Sequence, residues 1–212
     1  MENKFDRAKH VYRNDDFAEL LKDAVRFFHG TPVFSIPPPE PFSGAGVYAL
    51  YYIGRKGIYK KFGETINRIE YAVPIYVGKA VPKGWRQSRT VSDNTLKSKT
   101  LSSRLAQHAK SIGQVSNLKA GDFACRFMIF EGEAQSMISC VESALISQHN
   151  PLWNSVVDGF GNNAPGVRRV TGRVPNWDAL HPGRASTSKI TGERPETKDL
   201  KRRITDYLVG LR

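Results

Sequence analysis

Apolar positions along the chain fall into blocks with two different periods. Phe17, Leu20, Leu21, Ala24, Val25 and Phe28 recur at three- and four-residue spacing, which predicts a helix from Asp15 or Asp16 to about Phe28, ended by Gly30. Runs of strand character span Gly46 to Ile53 and Pro74 to Val77 or Lys79. Further on, Phe123, Cys125, Phe127 and Ile129 alternate with Ala124, Arg126 and Met128, the mark of a strand from Phe123 to Phe130. Helical spacing returns from about Thr100 to Ser111, from about Ala134 to Gln148, and from Glu196 to Leu208, with a short helix expected between Lys60 and Tyr71. Gly54-Arg55-Lys56-Gly57 reads as a turn and Ile36-Pro37-Pro38-Pro39-Glu40-Pro41 as a stiff spacer, a docking motif being the alternative. Residues 81–99 and the stretch after Asn154 read as irregular loops. The pattern predicts an α+β fold: a small antiparallel sheet of about three main strands flanked by helices, with N-terminal, internal and C-terminal extensions.

Glu142 breaks this pattern. With 3.6 residues per turn, Ile138, Val141, Glu142 and Leu145 share one face of an otherwise apolar helix, so the acid points toward the interior. A buried carboxylate is costly unless something pairs with it, and a divalent cation is one solution. Most helix glutamates are simply solvated, and alone this residue does not choose between the two readings.

Charge narrows the partners. The 212 residues carry a formal net charge of +12, and it is unevenly placed. Residues 79–104 hold seven Lys/Arg against one acid, and residues 160–212 hold eleven against five, while the rest of the chain is neutral. Two basic blocks on a neutral body suit a polyanion, although a solvated positive surface fits the same numbers. Cys125 and Cys140 sit among apolar neighbours and read as buried core thiols rather than a bridge or zinc ligands. No apolar run is long enough to span a bilayer, and the polar start Met1-Glu2-Asn3-Lys4 does not resemble a secretory signal, so the cytoplasm is the expected compartment.

The candidate chemistry comes in a fixed order: Gly46-Val47-Tyr48, then Tyr76-Val77-Gly78-Lys79, then Arg104 and His108 on a helix, then Glu142, then Asn150-Pro151-Leu152-Trp153-Asn154. This order resembles the GIY-YIG nuclease superfamily over about residues 45–155. The strings Tyr52-Ile53-Gly54 and Gly57-Ile58-Tyr59 also occur, but reversed and too close to lie on separate strands. Tyr48 and Tyr76 are therefore the matching pair. Their separation exceeds the family's usual tight connection and marks an insertion at about 54–73. The resulting division is 1–44 as a helical extension with the proline-rich connector, 45–155 as the catalytic domain with its basic loop 81–99, and 156–212 as a basic extension for DNA contact.

The resemblance implies hydrolysis of a DNA phosphodiester. Glu142 would hold one Mg²⁺, with Mn²⁺ as a substitute. Arg104 would contact the scissile phosphate, and Tyr48 would act as general base with His108 as its proton acceptor and Tyr76 in the network. Asn154 would orient the phosphate or lock the end of the helix, and Lys79 would add a phosphate contact. His108 lies four residues after Arg104, so both reach one site from one helix face. Taken singly, the tyrosines read equally as strand aromatics, Arg104 and His108 as a polar helix face, and Asn154 as a turn residue. A compact chain with extensions is most similar to the type II restriction endonuclease branch, in particular to members that cut the palindrome CCGCGG. That branch implies double-stranded DNA as substrate, a homodimer on it, and a cognate DNA methyltransferase. Arg86, Arg89, Arg168, Arg169 and Arg173 are the candidates for DNA contact, reading guanine or touching phosphates. A homing or repair-type nuclease and a catalytically inactive DNA-binding module are the competing classes.

Overall fold

A computed structural model of the protein describes residues 5–67, 69–82, 85, 98–162 and 170–211. Four strands, β1 (Val33–Ser35), β2 (Ala45–Tyr52), β3 (Tyr76–Ala80) and β4 (Phe123–Phe130), form one antiparallel sheet in the order β1-β4-β2-β3. The expected three strands are present, and the fourth is the three-residue edge strand β1, too short to show a period. β2 is buried at every position because it pairs on both sides and is covered on both faces.

Side chains alternate across the sheet, so β2 feeds two cores. Val47, Ala49 and Tyr51 join Phe28, Ile138, Val141 and Leu145, from α1 (Asp15–Gly30) and α3 (Ile138–His149). Tyr48, Leu50 and Tyr52 face the other way, toward Leu101, Leu105 and Ile112 of α2 (Thr100–Gly113). The same second core contains Trp153 of α4 (Leu152–Ser155), Trp177 of α5 (Asn176–Leu180), and Leu200, Ile204 and Leu208 of α6 (Thr197–Gly210). The result is a three-layer α/β/α sandwich in which the C-terminal residues are part of the core that holds Tyr48. α1 begins where Asn14 accepts a bond from the Phe17 N–H, as a good N-cap does. α3 ends at Asn150 in the left-handed region (φ 42°), a conformation asparagine tolerates.

The short helix expected after Lys60 is a single π-helical turn, Phe62–Ile66. Cys125 is buried as expected, whereas Cys140 is only half-buried because it lies off the apolar face of α3. Among the described residues no helix is long and apolar enough to cross a membrane.

Candidate active site

β3 is the edge strand opposite β1, and the chemistry gathers along it. Tyr76 and Gly78 face the α2 side of the sheet, while Lys79 faces α3. The register sets Tyr48 opposite Gly78, and a Cβ at position 78 would come within 2.6 Å of the Tyr48 hydroxyl. Glycine there is what gives the phenol its space, and this is the physical content of a Tyr-x-Gly tripeptide facing a Gly-x-Tyr tripeptide.

Beneath the cleft floor, Tyr48 Oη and His108 Nε2 lie 2.6 Å apart. Tyr48 is 0 % exposed and His108 2 %. Burial raises the Tyr48 phenol well above its ordinary range, with Tyr76 adding to the shift and Arg104 opposing it. Burial also holds the His108 imidazole well below its usual value, reinforced by the Arg104 and Arg184 charges. Both groups are therefore neutral at physiological pH. Tyr76, half-buried, turns its ring toward both, with centroids 6.2 Å from Tyr48 and 5.5 Å from His108. Its phenol is raised by burial as well.

Above this trio opens a cleft of about 850 Å³, lined by Tyr76, Lys79, Lys99, Ser103, Arg104, Gln107 and Glu142 among others. Arg104 reaches in from the first turns of α2, its Nη1 bonded to Gln107 Oε1 at 2.6 Å and its Nη2 to the carbonyl of Gly161. Glu142 enters from the opposite face of the sheet, its side chain 18 % exposed at the rim rather than inside the core. Its Oε2 meets Lys79 Nζ at 2.7 Å, and the same ammonium donates to Ser139 Oγ at 3.1 Å.

Asn154 lies outside the cleft lining. Its Oδ1 accepts from the Val77 N–H and its Nδ2 donates to the Val77 carbonyl, both at 2.8 Å. Together with the Trp153 N–H bonded to the Ile75 carbonyl, it stands in for a fifth strand along the open edge of β3. Arg173 is exposed and lines a separate hollow of about 210 Å³ with Asp158 and Asn162. Arg86, Arg89, Arg168 and Arg169 lie outside the described residues, as does most of the basic loop 81–99.

Sequence reasoning did not single out Phe160, whose ring stacks on His108 at 4.5 Å and meets the edge of Tyr76 at 5.1 Å. The two glycines that flank it, Gly159 and Gly161, were its signal: an aromatic between glycines just after Asn154.

Among the described residues Glu142 is the one carboxylate that lines the cleft, and no group of three or more His, Cys, Asp or Glu side chains converges. A single hard oxygen donor at an open, polar cleft suits a cation that keeps most of its water, as Mg²⁺ does. It does not suit a zinc-type cage of nitrogen and sulfur ligands.

A small sheet that gathers two facing tyrosines, a helix arginine and a carboxylate at its free edge is built as a GIY-YIG nuclease is built, and the chain is of that class. More narrowly, residues 40–208 match the family described as Eco29kI GIY-YIG domain, a restriction endonuclease family, and the chain belongs to it. The match extends on both sides of 45–155, in keeping with C-terminal residues that help to build the core. No curated protein matches the chain.

Proposed function

We propose that the protein is a type II restriction endonuclease that hydrolyses both strands of a short palindrome in double-stranded DNA, acting as a homodimer with Mg²⁺ on Glu142. The observation that carries this reading is the buried Tyr48–His108 hydrogen bond directly under a cleft shared by Arg104, Tyr76 and Glu142. Among the described residues the cleft is lined by three cations, Lys79, Lys99 and Arg104, against one carboxylate, a balance that favours a phosphodiester.

In this reading Arg104 sets its planar guanidinium on the scissile phosphate, whose oxygens match that fork. A water attacks phosphorus in line with the departing 3′ oxygen, leaving a 5′ phosphate. Tyr76 faces the cleft, so it orients the water and passes its proton inward to Tyr48. Tyr48 in turn releases its own proton to His108 Nε2, a direction that requires the tautomer with the imidazole hydrogen on Nδ1. Neutral His108 is available for that proton because burial and the neighbouring arginines keep it unprotonated. Mg²⁺ on Glu142, with Mn²⁺ as a substitute, would supply charge stabilisation for the phosphate and the leaving oxygen. Lys79, which pairs with Glu142, would transfer its bond to a phosphate oxygen.

A two-fold dimer supplies one such site per strand. The target CCGCGG is proposed only from the resemblance to members that cut that palindrome, and a partner methyltransferase that protects host DNA from the restriction-enzyme reading. The test is digestion of unmethylated phage-length DNA with Mg²⁺, beside a Ca²⁺ control and Glu142→Ala. Discrete bands that vanish in both controls are expected, and their mapped ends give the target. A smear removes the restriction role. DNA that is shifted in a gel yet intact leaves a binding module without chemistry.

A further inference from the structure

Behind the cleft, the segment that follows Asn154 touches three of the residues just assigned to chemistry. Phe160 stacks on His108 and meets Tyr76 edge-on, and the Gly161 carbonyl accepts from Arg104. The loop Gly159–Gly161 is thus a wall of the site. What holds that wall comes from the C-terminal part of the chain. Arg184, 3 % exposed, donates Nη1 to the Phe160 carbonyl at 2.7 Å and Nη2 to the Gly159 carbonyl at 3.0 Å.

The guanidinium is itself fixed from the far side. Asp178 of α5, 4 % exposed, takes Nε at 2.8 Å and Nη2 at 2.5 Å in a fork-to-fork pair, and Thr187 Oγ1 adds a bond to the same carboxylate at 2.8 Å. Trp177 lies against the cation, its ring centroid 4.9 Å from the guanidinium carbon. Two buried charges cost desolvation, and packed apolar residues hold a core together at least as well. An ion pair therefore stabilises the fold no better than a hydrophobic substitute would. What it supplies instead is direction: a planar fork that can accept only one placement of two consecutive carbonyls.

We propose that Arg184, held by Asp178, is a positioning residue that fixes the Gly159–Gly161 loop and through it the His108 ring and the Arg104 guanidinium. The inference rests on the nuclease reading of those two residues. It assigns to the basic C-terminal extension a task inside the catalytic centre, in addition to any contact with DNA.

The test pairs the double variant Arg184→Met/Asp178→Leu, which exchanges the ion pair for apolar volume and keeps the core closed, with Phe160→Leu, which removes only the stacked ring. Three quantities are read: DNA binding in Ca²⁺, the single-turnover cleavage rate in Mg²⁺, and the His108 Hε1 resonance. That resonance is identified among five histidines by its loss in His108→Gln. We expect unchanged binding, cleavage slowed by about 100-fold, the cost of a small misplacement of reacting groups, and a His108 resonance moved toward its position in Phe160→Leu. Cleavage at the parental rate, or binding and cleavage lost together with thermal stability, overturns the inference. If the parent cuts no DNA, the nuclease reading fails separately, and the His108 resonance alone then decides whether Arg184 sets the stack.

Discussion

At the scale of single residues, the pair Tyr48 and His108 carries an unusual combination: a phenol made harder to ionise and an imidazole made harder to protonate, 2.6 Å apart. Each shift is mainly the cost of burying a charge, so the resting pair is neutral. The direction of the histidine shift fixes a pH dependence. In the proposed mechanism only neutral His108 accepts the proton, and its value lies below the ordinary 6.5, so cleavage is expected to be flat through neutral pH and to fall only well below 6.5. Single-turnover rates measured across that range check this, and an acid limb at or above 6.5 refutes it. Tyr48→Phe would remove the proposed proton path while keeping the ring, and its expected cost is about 10²- to 10⁴-fold in rate.

At the scale of elements, a motif is legible when each of its letters answers to a local steric need. Gly78 is the case in point, because the Tyr48 phenol occupies the space where its side chain would stand. Gly78→Ala is expected to push that hydroxyl off His108, abolishing cleavage while the sheet still forms. Circular dichroism and thermal melting beside the cleavage assay would show the split, and an active Gly78→Ala protein would contradict the pairing of Tyr48 with Gly78 across β2 and β3. The same logic explains what the sequence reveals and what it conceals. β4 and α1 are readable because their apolar residues alternate, or recur by threes and fours, against polar solvent. β1 is concealed because three residues have no period. Asp178 and Arg184 are concealed because a buried ion pair looks the same in a sequence as two solvated charges, and in a basic tail it looks like part of a DNA-binding surface. Glu142 was legible as an exception to its helix, although the structure places it at the rim, facing Lys79, rather than within the core.

At the scale of the whole molecule, His29, His149 and His181 tie distant segments together, and they do so uncharged. His181 Nε2 meets Tyr59 Oη at 2.8 Å and its Nδ1 meets Asn117 Oδ1 at 2.9 Å, joining the insertion after β2, the segment that follows α2 and the C-terminal region. His29 and His149 join α1 to the end of α3, their Nε2 atoms 3.3 Å apart. Burial drives His181 down to about 3 and His149 to about 4, the latter assisted by His29, and it also lowers His29 and His108. Each of these groups binds its proton more readily in the unfolded chain than in the folded one. Their contribution to stability is therefore fully present above about 6.5, the unfolded value, and is lost as pH falls from there toward 4 and 3. Carboxylates titrate near 4, so in the window from about pH 6.5 to 5 the loss belongs chiefly to histidine. Urea unfolding should give a constant midpoint above that window and a steadily lower one within it, with net proton uptake on unfolding. His149→Gln should weaken the dependence without removing it, because His181 and His108 still have to charge when the chain unfolds. A midpoint that does not change between neutral pH and pH 5 would mean that these imidazoles are already protonated in the folded protein, and the neutral Tyr48–His108 pair would lose its support along with them.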